Sequence, residues 1–178
     1  MNLSRIKKDL VYIFLNGLVC YIPIWKIRKI IYKSFGMKIG NHTRIGINTK
    51  IISPHKIILG DYSVINEECY LDGRGGLNIG NNCSISIRTI IITASHDANS
   101  DMFAYYEKEV QIKDNVWIGA NAVILDGSIL NNYTIIGANA VVKTETVEKG
   151  IYVGNPLKLL KYRDINSKYH INYIAYFR

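Results

Sequence analysis

From Ile39 onward an aliphatic residue recurs at every sixth position. The series runs Ile39, Ile45, Ile51, then Leu59, Ile65, Leu71, then Ile79, Ile85, Ile91, and resumes after an interruption at Ile112, Ile118, Ile124, Leu130, Ile136 and Val142. Four places after nearly every member stands a small or β-branched residue, among them Thr43, Thr49, Ser63, Cys69, Cys83, Thr89, Ala122 and Thr134. Position four of one hexad is position minus two of the next, and a strand alternates faces with a period of two, so both series point to one side. Each hexad predicts a short strand with one large and one small inward residue, followed by a corner. A helical period does not fit this spacing.

A longer period lies above the six. Ile39-Gly40-Asn41, Leu59-Gly60-Asp61, Ile79-Gly80-Asn81, Ile112-Lys113-Asp114 and Leu130-Asn131-Asn132 share one phase. Their third residue, Asn or Asp, is expected to take the left-handed backbone of a tight corner. Ile112 to Leu130 is 18 residues, or three hexads; the earlier steps of 20 absorb two extra residues near Ser53–Lys56 and Asp72–Gly76. Three sides close a triangular coil, and about five coils stack through parallel strands into an all-β solenoid.

The ends depart from this pattern. Residues 1–36 mix apolar and basic side chains and predict a helix from about Ser4 to Cys20, a break near Pro23, and a second helix from about Trp25 to Phe35. Two roles are open for this segment: a cap over the first coil, which a solenoid needs, or an interfacial helix pair held to anionic lipid. The apolar run Leu10–Trp25 is interrupted by Asn16, Gly17 and Pro23 and falls short of the roughly 20 residues a membrane span needs. No small-residue cleavage site follows it, so a signal peptide is not expected. The solenoid is expected over 37–156, with a long loop at 97–111 whose aromatics suit the wall of a site. Residues 157–178 are expected to form a short basic helix on the last coil, followed by a tail.

Composition narrows the class. The chain has 178 residues, 48% hydrophobic and 20% charged, which fits one folded domain and excludes intrinsic disorder. Twenty-two Lys and Arg against 14 Asp and Glu give a formal charge of +8, suited to partners carrying phosphate or carboxylate. No nucleic-acid-binding motif accompanies that charge. Three cysteines without a C-x-x-C motif argue against a disulfide framework or a zinc site and for a reducing, cytoplasmic compartment. Cys69 and Cys83 fall in the small inward series, where they read as packing residues.

Among four histidines, His96 stands apart. It follows Ser95, read as inward, on the last strand before the long loop, at the mouth of whatever that loop encloses. Histidine titrates near neutrality and is the natural proton acceptor there. His42 and His55 lie coils away, so a three-histidine zinc site is not expected. There is no G-x-S-x-G elbow, and Gly73-Arg74-Gly75-Gly76 lacks the Lys-Ser/Thr of a phosphate loop.

Taken together, the hexads, Thr93-Ala94-Ser95-His96-Asp97, Asn115-Val116-Trp117-Ile118-Gly119 and Gly154-Asn155-Pro156 resemble the hexapeptide-repeat acyltransferases. The likeness is greatest to galactoside and maltose acetyltransferases and to O-acetyltransferases of capsule and exopolysaccharide clusters, and it spans about residues 36–163. The resemblance implies a left-handed parallel β-helix, homotrimers, and active sites in clefts between neighbouring prisms. It implies His96 as general base, with Asn66, Asp72, Arg74, Phe103 and Tyr105 around the acceptor. It further implies Trp117, Gly119, Ala120 and Ala138 along the pantetheine arm, and Lys143, Lys158 and Lys161 near the coenzyme phosphates. Implied too is direct transfer from acetyl-CoA to a sugar hydroxyl of a surface polysaccharide, with no metal. An amino-sugar acceptor, or a scaffold without catalysis, are the alternatives.

Overall fold

Five complete triangular coils and part of a sixth carry the hexads. The first coil consists of β1 (Lys38–Ile39), β2 (Arg44–Ile45) and β3 (Lys50–Ile52). The second has β4 (Ile57–Leu59), β5 (Val64–Ile65) and β6 (Tyr70–Asp72), and the third β7 (Leu77–Ile79), β8 (Ser84–Ile85) and β9 (Ile90–Ile91). A hairpin of β10 (Ala94–His96) and β11 (Tyr105–Glu107) then leaves the prism. The fourth coil is β12 (Val110–Ile112), β13 (Trp117–Ile118) and β14 (Val123–Ile124), and the fifth β15 (Ile129–Leu130), β16 (Ile135–Ile136) and β17 (Val141–Val142). A bridge between Ile129 and Glu145 and the strand β18 (Gly150–Val153) begin a sixth, so the count slightly exceeds the expected five. In this computed structural model the described residues are 3–165 and 169–173, with the side chains of Ser4 and Arg5 excepted.

Parallel pairing in strict register builds three sheets: β1-β4-β7-β12-β15 in the first, β2-β5-β8-β13-β16-β18 in the second, and β3-β6-β9-β14-β17 in the third. Ile45, Ile65, Ile85, Ile118 and Ile136 thus stack in one column, each no more than 1% exposed. The small inward residues build a second ladder. Ser63 Oγ donates to Gly80 O at 2.7 Å, and Cys83 Sγ to Lys113 O at 3.0 Å. At the next corner Thr49 Oγ1 donates to Asn66 O and Cys69 Sγ to Ser86 O. The two thiols do the work of threonine hydroxyls, and burial pushes both up to about 12.

The expectation for the Asn and Asp corner residues needs correction. The left-handed residue is the one that follows, namely His42, Tyr62, Asn82, Asn115 and Tyr133, with φ between 53° and 61°. The Asn or Asp instead accepts the backbone N–H of its counterpart one coil earlier. Asp61 Oδ1 takes Asn41 N–H at 2.6 Å, Asn81 Oδ1 takes Asp61 N–H at 2.8 Å, and Asp114 Oδ1 takes Asn81 N–H at 2.7 Å. The preceding glycine makes room for this contact. A Cβ on Gly80 would lie 2.3 Å from Asp114 Oδ1.

At the amino-terminal end, α1 (Leu3–Gly17), a 3-10 turn (Val19–Tyr21) and α2 (Trp25–Ser34) cover the first coil. A strand edge left open presents unpaired backbone groups, and side chains of the helices satisfy them. Asn16 acts as a substitute strand, donating to Ile51 O at 2.8 Å and accepting Ile51 N–H at 2.7 Å. Fully buried Arg28 donates to Ile45 O, Trp25 Nε1 to Thr43 O, and Lys29 to Gly40 O. No helix among the described residues is long and apolar enough to cross a membrane.

Residues 157–163 overturn the expected C-terminal helix. β19 (Lys158–Tyr162) runs antiparallel to β18. So short a helix would be marginal, whereas the free edge of the last coil offers ready hydrogen bonds. A bulge shifts the register between Ile151 and Tyr152, so that Val153 pairs with Lys158 and Ile151 with Lys161. Val153 and Ile151 share a face, and the bulge therefore aims both lysines the same way. Of the expected tail, residues 166–168 and those beyond Tyr173 lie outside the described residues.

Candidate active site

Every departure from the hexad falls on one corner, where the third sheet turns into the first. The 3-10 turn Pro54–Lys56, the loop after Asp72, the hairpin, Asp126 and Lys143 all stack there. The long loop is in fact an ordered hairpin. His96 pairs with Tyr105, Ser95 with Tyr106 and Ala94 with Glu107, so Ser95 already stands outside the coil, and Thr93 is the fully buried residue before it.

The tip of the hairpin holds His96. Asp97 N–H donates to Ala104 O at 2.8 Å, an Asx turn from Asp97 Oδ1 takes Asn99 N–H at 2.9 Å, and Phe103 adopts φ 49°. That conformation turns the Phe103 carbonyl toward the imidazole, and Nδ1 lies 2.8 Å from its oxygen. A carbonyl only accepts, so Nδ1 carries the proton, and in the neutral imidazole Nε2 then holds the lone pair. The Phe103 ring stacks on the imidazole at 4.1 Å and 9°, and the Tyr105 ring meets it edge-on at 5.6 Å. His96 itself is exposed.

At the root of the hairpin, Asp72 is fully buried and every one of its acceptor positions is taken. Oδ1 receives Arg74 N–H and Nε–H, while Oδ2 receives Arg74 Nη2 and Thr93 N–H, all at 2.9–3.0 Å. Burial alone would raise this carboxyl, but the hydrogen bonds from Arg74 and Thr93 hold it below the usual carboxylate range. The expected acceptor ligand Asp72 therefore meets Arg74 and not solvent, and Arg74 is the member of the pair that reaches the surface. A cleft of about 680 Å³ opens here, between α1 and this corner, lined by Lys7, Lys8, Tyr12, His55, Arg74 and Tyr105 among others.

Lys143, expected at the coenzyme, stands on this same corner. It donates to the nearly buried Asp126 at 3.2 Å and to Tyr106 Oη at 3.4 Å, and the first of these contacts raises its pKa. It ties the hairpin to the fourth and fifth coils. The repeat marks neither Asp126 nor Tyr106: Asp126 is 17 residues from Lys143, one short of a coil, and Tyr106 lies in the hairpin outside the hexads.

The other expected coenzyme residues lie elsewhere on the prism. Trp117 projects from the second sheet, about half exposed, and its Nε1 donates to Ser86 Oγ at 3.3 Å. Gly119 and Ala120, then Gly137 and Ala138, stack at the corner between the second and third sheets, and a Cβ on Gly119 would lie 2.5 Å from Ala138 N. No acceptor within the described residues takes the N–H of Ala120 or Ala138. Lys158 and Lys161 extend this sheet on β19. Asn66 shares the column of Ser86 and Gly119, and its amide donates to Ile85 O at 2.9 Å. Within one chain, then, His96, Asp72, Arg74, Phe103 and Tyr105 gather at one corner, while Asn66, Trp117, Gly119, Ala120 and Ala138 line another. Among the described residues no group of His, Cys, Asp and Glu is placed to hold a metal ion.

Residues 109–144 match the family described as bacterial transferase hexapeptide (six repeats). The chain is 27% identical over 140 residues to WcaF of Escherichia coli strain K12, named for acetyl transfer in colanic acid biosynthesis; the match covers 79% of this chain and 77% of WcaF. It is 24% identical to WbbJ of the same strain, named for O-acetyl transfer in lipopolysaccharide biosynthesis, over 66% of each chain. A hexapeptide-repeat acetyltransferase from Vibrio cholerae O1 biovar eltor, solved with acetyl coenzyme A, shares the fold. Its TM-score is 0.79 at 21% identity, covering 90% of this chain and 87% of that one.

Proposed function

We propose that this chain, whose residues 109–144 match bacterial transferase hexapeptide repeats, is an acetyl-CoA-dependent O-acetyltransferase that modifies a sugar hydroxyl in the making of a surface polysaccharide. The observation that carries the chemistry is the tautomer of His96, fixed by Phe103 O at 2.8 Å with Nε2 free to accept. Nε2 takes the proton of the sugar hydroxyl as that oxygen attacks the thioester carbonyl. The tetrahedral intermediate then collapses, and the departing thiolate of coenzyme A recovers the proton from the imidazolium. No covalent enzyme intermediate is needed. The acceptor hydroxyl sits at His96 Nε2, with Tyr105, whose ring meets the imidazole, and Arg74, whose guanidinium is held in place by Asp72, on the side toward the cleft.

Acetyl-CoA lies along the second sheet, its pantetheine amides meeting the free N–H groups of Ala120 and Ala138 and its phosphates meeting Lys158 and Lys161. Because this track and His96 occupy different corners, the reading includes a homotrimer in which the track of one chain faces the hairpin of its neighbour. Asn66 then serves the site across that interface. The enzyme works as a peripheral protein on the inner face of the membrane, where acetyl-CoA is available. Calorimetry tests the donor: saturable binding of acetyl-CoA is expected, and its absence overturns the reading. Light scattering tests the assembly, since a fully active monomer would remove the shared site.

A further inference from the structure

The two capping helices each present two apolar faces, and only one of them is used by the prism. In α1, Val11, Leu15 and Asn16 pack toward the first coil, while Leu3, Leu10, Ile13 and Phe14 face solvent, with exposures of 82, 61, 62 and 40%. Ile13 and Phe14 stand three and four residues after Leu10, and Leu3 two turns before it, so the four share the side opposite the packed face, with the Phe14 ring resting at its edge against Phe35 at 5.9 Å. In α2, Arg28 and Tyr32 are buried, whereas Ile27 and Ile30 are 43 and 70% exposed on the other side. Leu18, Tyr21 and Ile24, in the connection, are also exposed. Both helices cover the same open end of the prism, through Asn16 to β3 and Arg28 to β2. Their unused faces therefore look outward along the prism axis together.

Charge identifies the occupant of this surface. Residues 1–35 contain seven Lys and Arg against one acidic residue, Asp9, and so hold most of the excess of the whole chain. Lys26 and Lys33 are exposed on α2, and Lys7 and Lys8 are exposed where α1 borders the cleft. Two copies meeting through this end would bring like charges together across an apolar contact, which opposes self-association. A negatively charged lipid surface satisfies both features at once: the aliphatic side chains enter the boundary of headgroups and acyl chains, and the lysines meet phosphates.

We infer that α1 and α2 form the membrane-docking surface of the protein, laid flat on a bilayer containing anionic phospholipid. This gives the peripheral location proposed above a specific surface. The cleft under α1, with Lys7, Lys8 and Arg74 on its walls, then opens next to the lipid headgroups.

Vesicle co-sedimentation of the full chain tests this without acetyl transfer, so its failure is distinct from failure of the catalytic reading. The expected result is binding to vesicles of phosphatidylcholine with phosphatidylglycerol, weakened by added salt, and little binding to phosphatidylcholine alone. Lys26→Ala with Lys33→Ala should weaken binding by about fivefold per lysine. Leu10→Ser with Ile13→Ser and Ile30→Ser should weaken it at least tenfold, with unchanged circular dichroism and unchanged acetylation of a soluble sugar. Equal binding of wild type to neutral vesicles, or no binding to either, overturns the inference. So does dissociation of the assembly by the Leu10, Ile13 and Ile30 substitutions in light scattering, which would make the stripe an interface between copies.

Discussion

His96 Nδ1 and the carbonyl oxygen of Phe103 meet at 2.8 Å, while the two rings stack at 4.1 Å. One residue thereby fixes both the tautomer and the plane of the imidazole, using a left-handed backbone to do so. The two contacts can be separated experimentally. Phe103→Ala keeps the carbonyl and removes the stack. It should lower kcat about tenfold with little change in KM for acetyl-CoA, because a positioned base loses effectiveness when its orientation loosens. An unchanged kcat would show that the ring does not orient His96.

Asp72 and Arg74 form a pair that is buried at one end only. Asp72→Asn leaves Arg74 without its bidentate partner and should destabilise the fold by about 2 kcal/mol, less than for a fully buried pair because the guanidinium reaches solvent. The carboxyl lies lower in the folded than in the unfolded state, so its contribution is fully present above the unfolded pKa, near 4, and is lost as pH falls through the folded value. Urea denaturation across this window should show wild type losing stability toward acid, with a flatter profile for the variant. Parallel profiles would assign the acid sensitivity to other carboxylates.

The lysines divide into two groups with different kinetic signatures. Lys143→Ala unpins Tyr106 and leaves Asp126 unpaired, and should lower kcat while KM for acetyl-CoA stays near wild type. Lys158→Ala with Lys161→Ala should do the reverse, raising KM for acetyl-CoA more than it lowers kcat, since phosphate contacts act on ground and transition states alike. Identical effects from both variants would refute the division.

At the corner between the first and second sheets, Gly80 lets the Asp114 side chain reach the Asn81 N–H. Gly80→Ala should cost about 1–3 kcal/mol of stability, as overpacking does, and Asp114→Ala about 1 kcal/mol through the lost hydrogen bond. In the double variant the two losses should not add, because both act on one contact. Thermal or urea denaturation of the three proteins reads this out, and full additivity would contradict the shared contact.

The solenoid was legible in the sequence because every hexad repeats the same two inward residues, and a periodic signal accumulates over many coils. His96 stood out for a related reason, at the last regular strand before the period breaks. What lies outside the period was harder to see. The paired leucines of Leu157–Arg163 resemble a helix face, and only the free edge of β18 makes them a strand. Asn41, Asp61, Asn81 and Asp114 were correctly placed at corners but given the wrong task, since their hydrogen bonds run to another coil and leave no local trace. The tie between Lys143 and Asp126 was equally hidden, because the partner lies 17 residues back on the preceding coil and leaves no local trace. The separation of His96 from the Asn66, Gly119 and Ala138 column was not visible either, because it depends on which corner each hexad turns.

The central claim is that Nε2 of His96 takes the proton of a sugar hydroxyl as acetyl leaves coenzyme A. Its most direct test is the single-turnover rate of acetyl transfer to a soluble sugar acceptor by wild type and His96→Ala, with acetyl-CoA affinity measured alongside by calorimetry. A general base contributes about 10²–10⁴-fold. The account predicts a loss of that size with acetyl-CoA affinity nearly intact, and a variant that stays folded and transfers acetyl at close to the wild-type rate would contradict it.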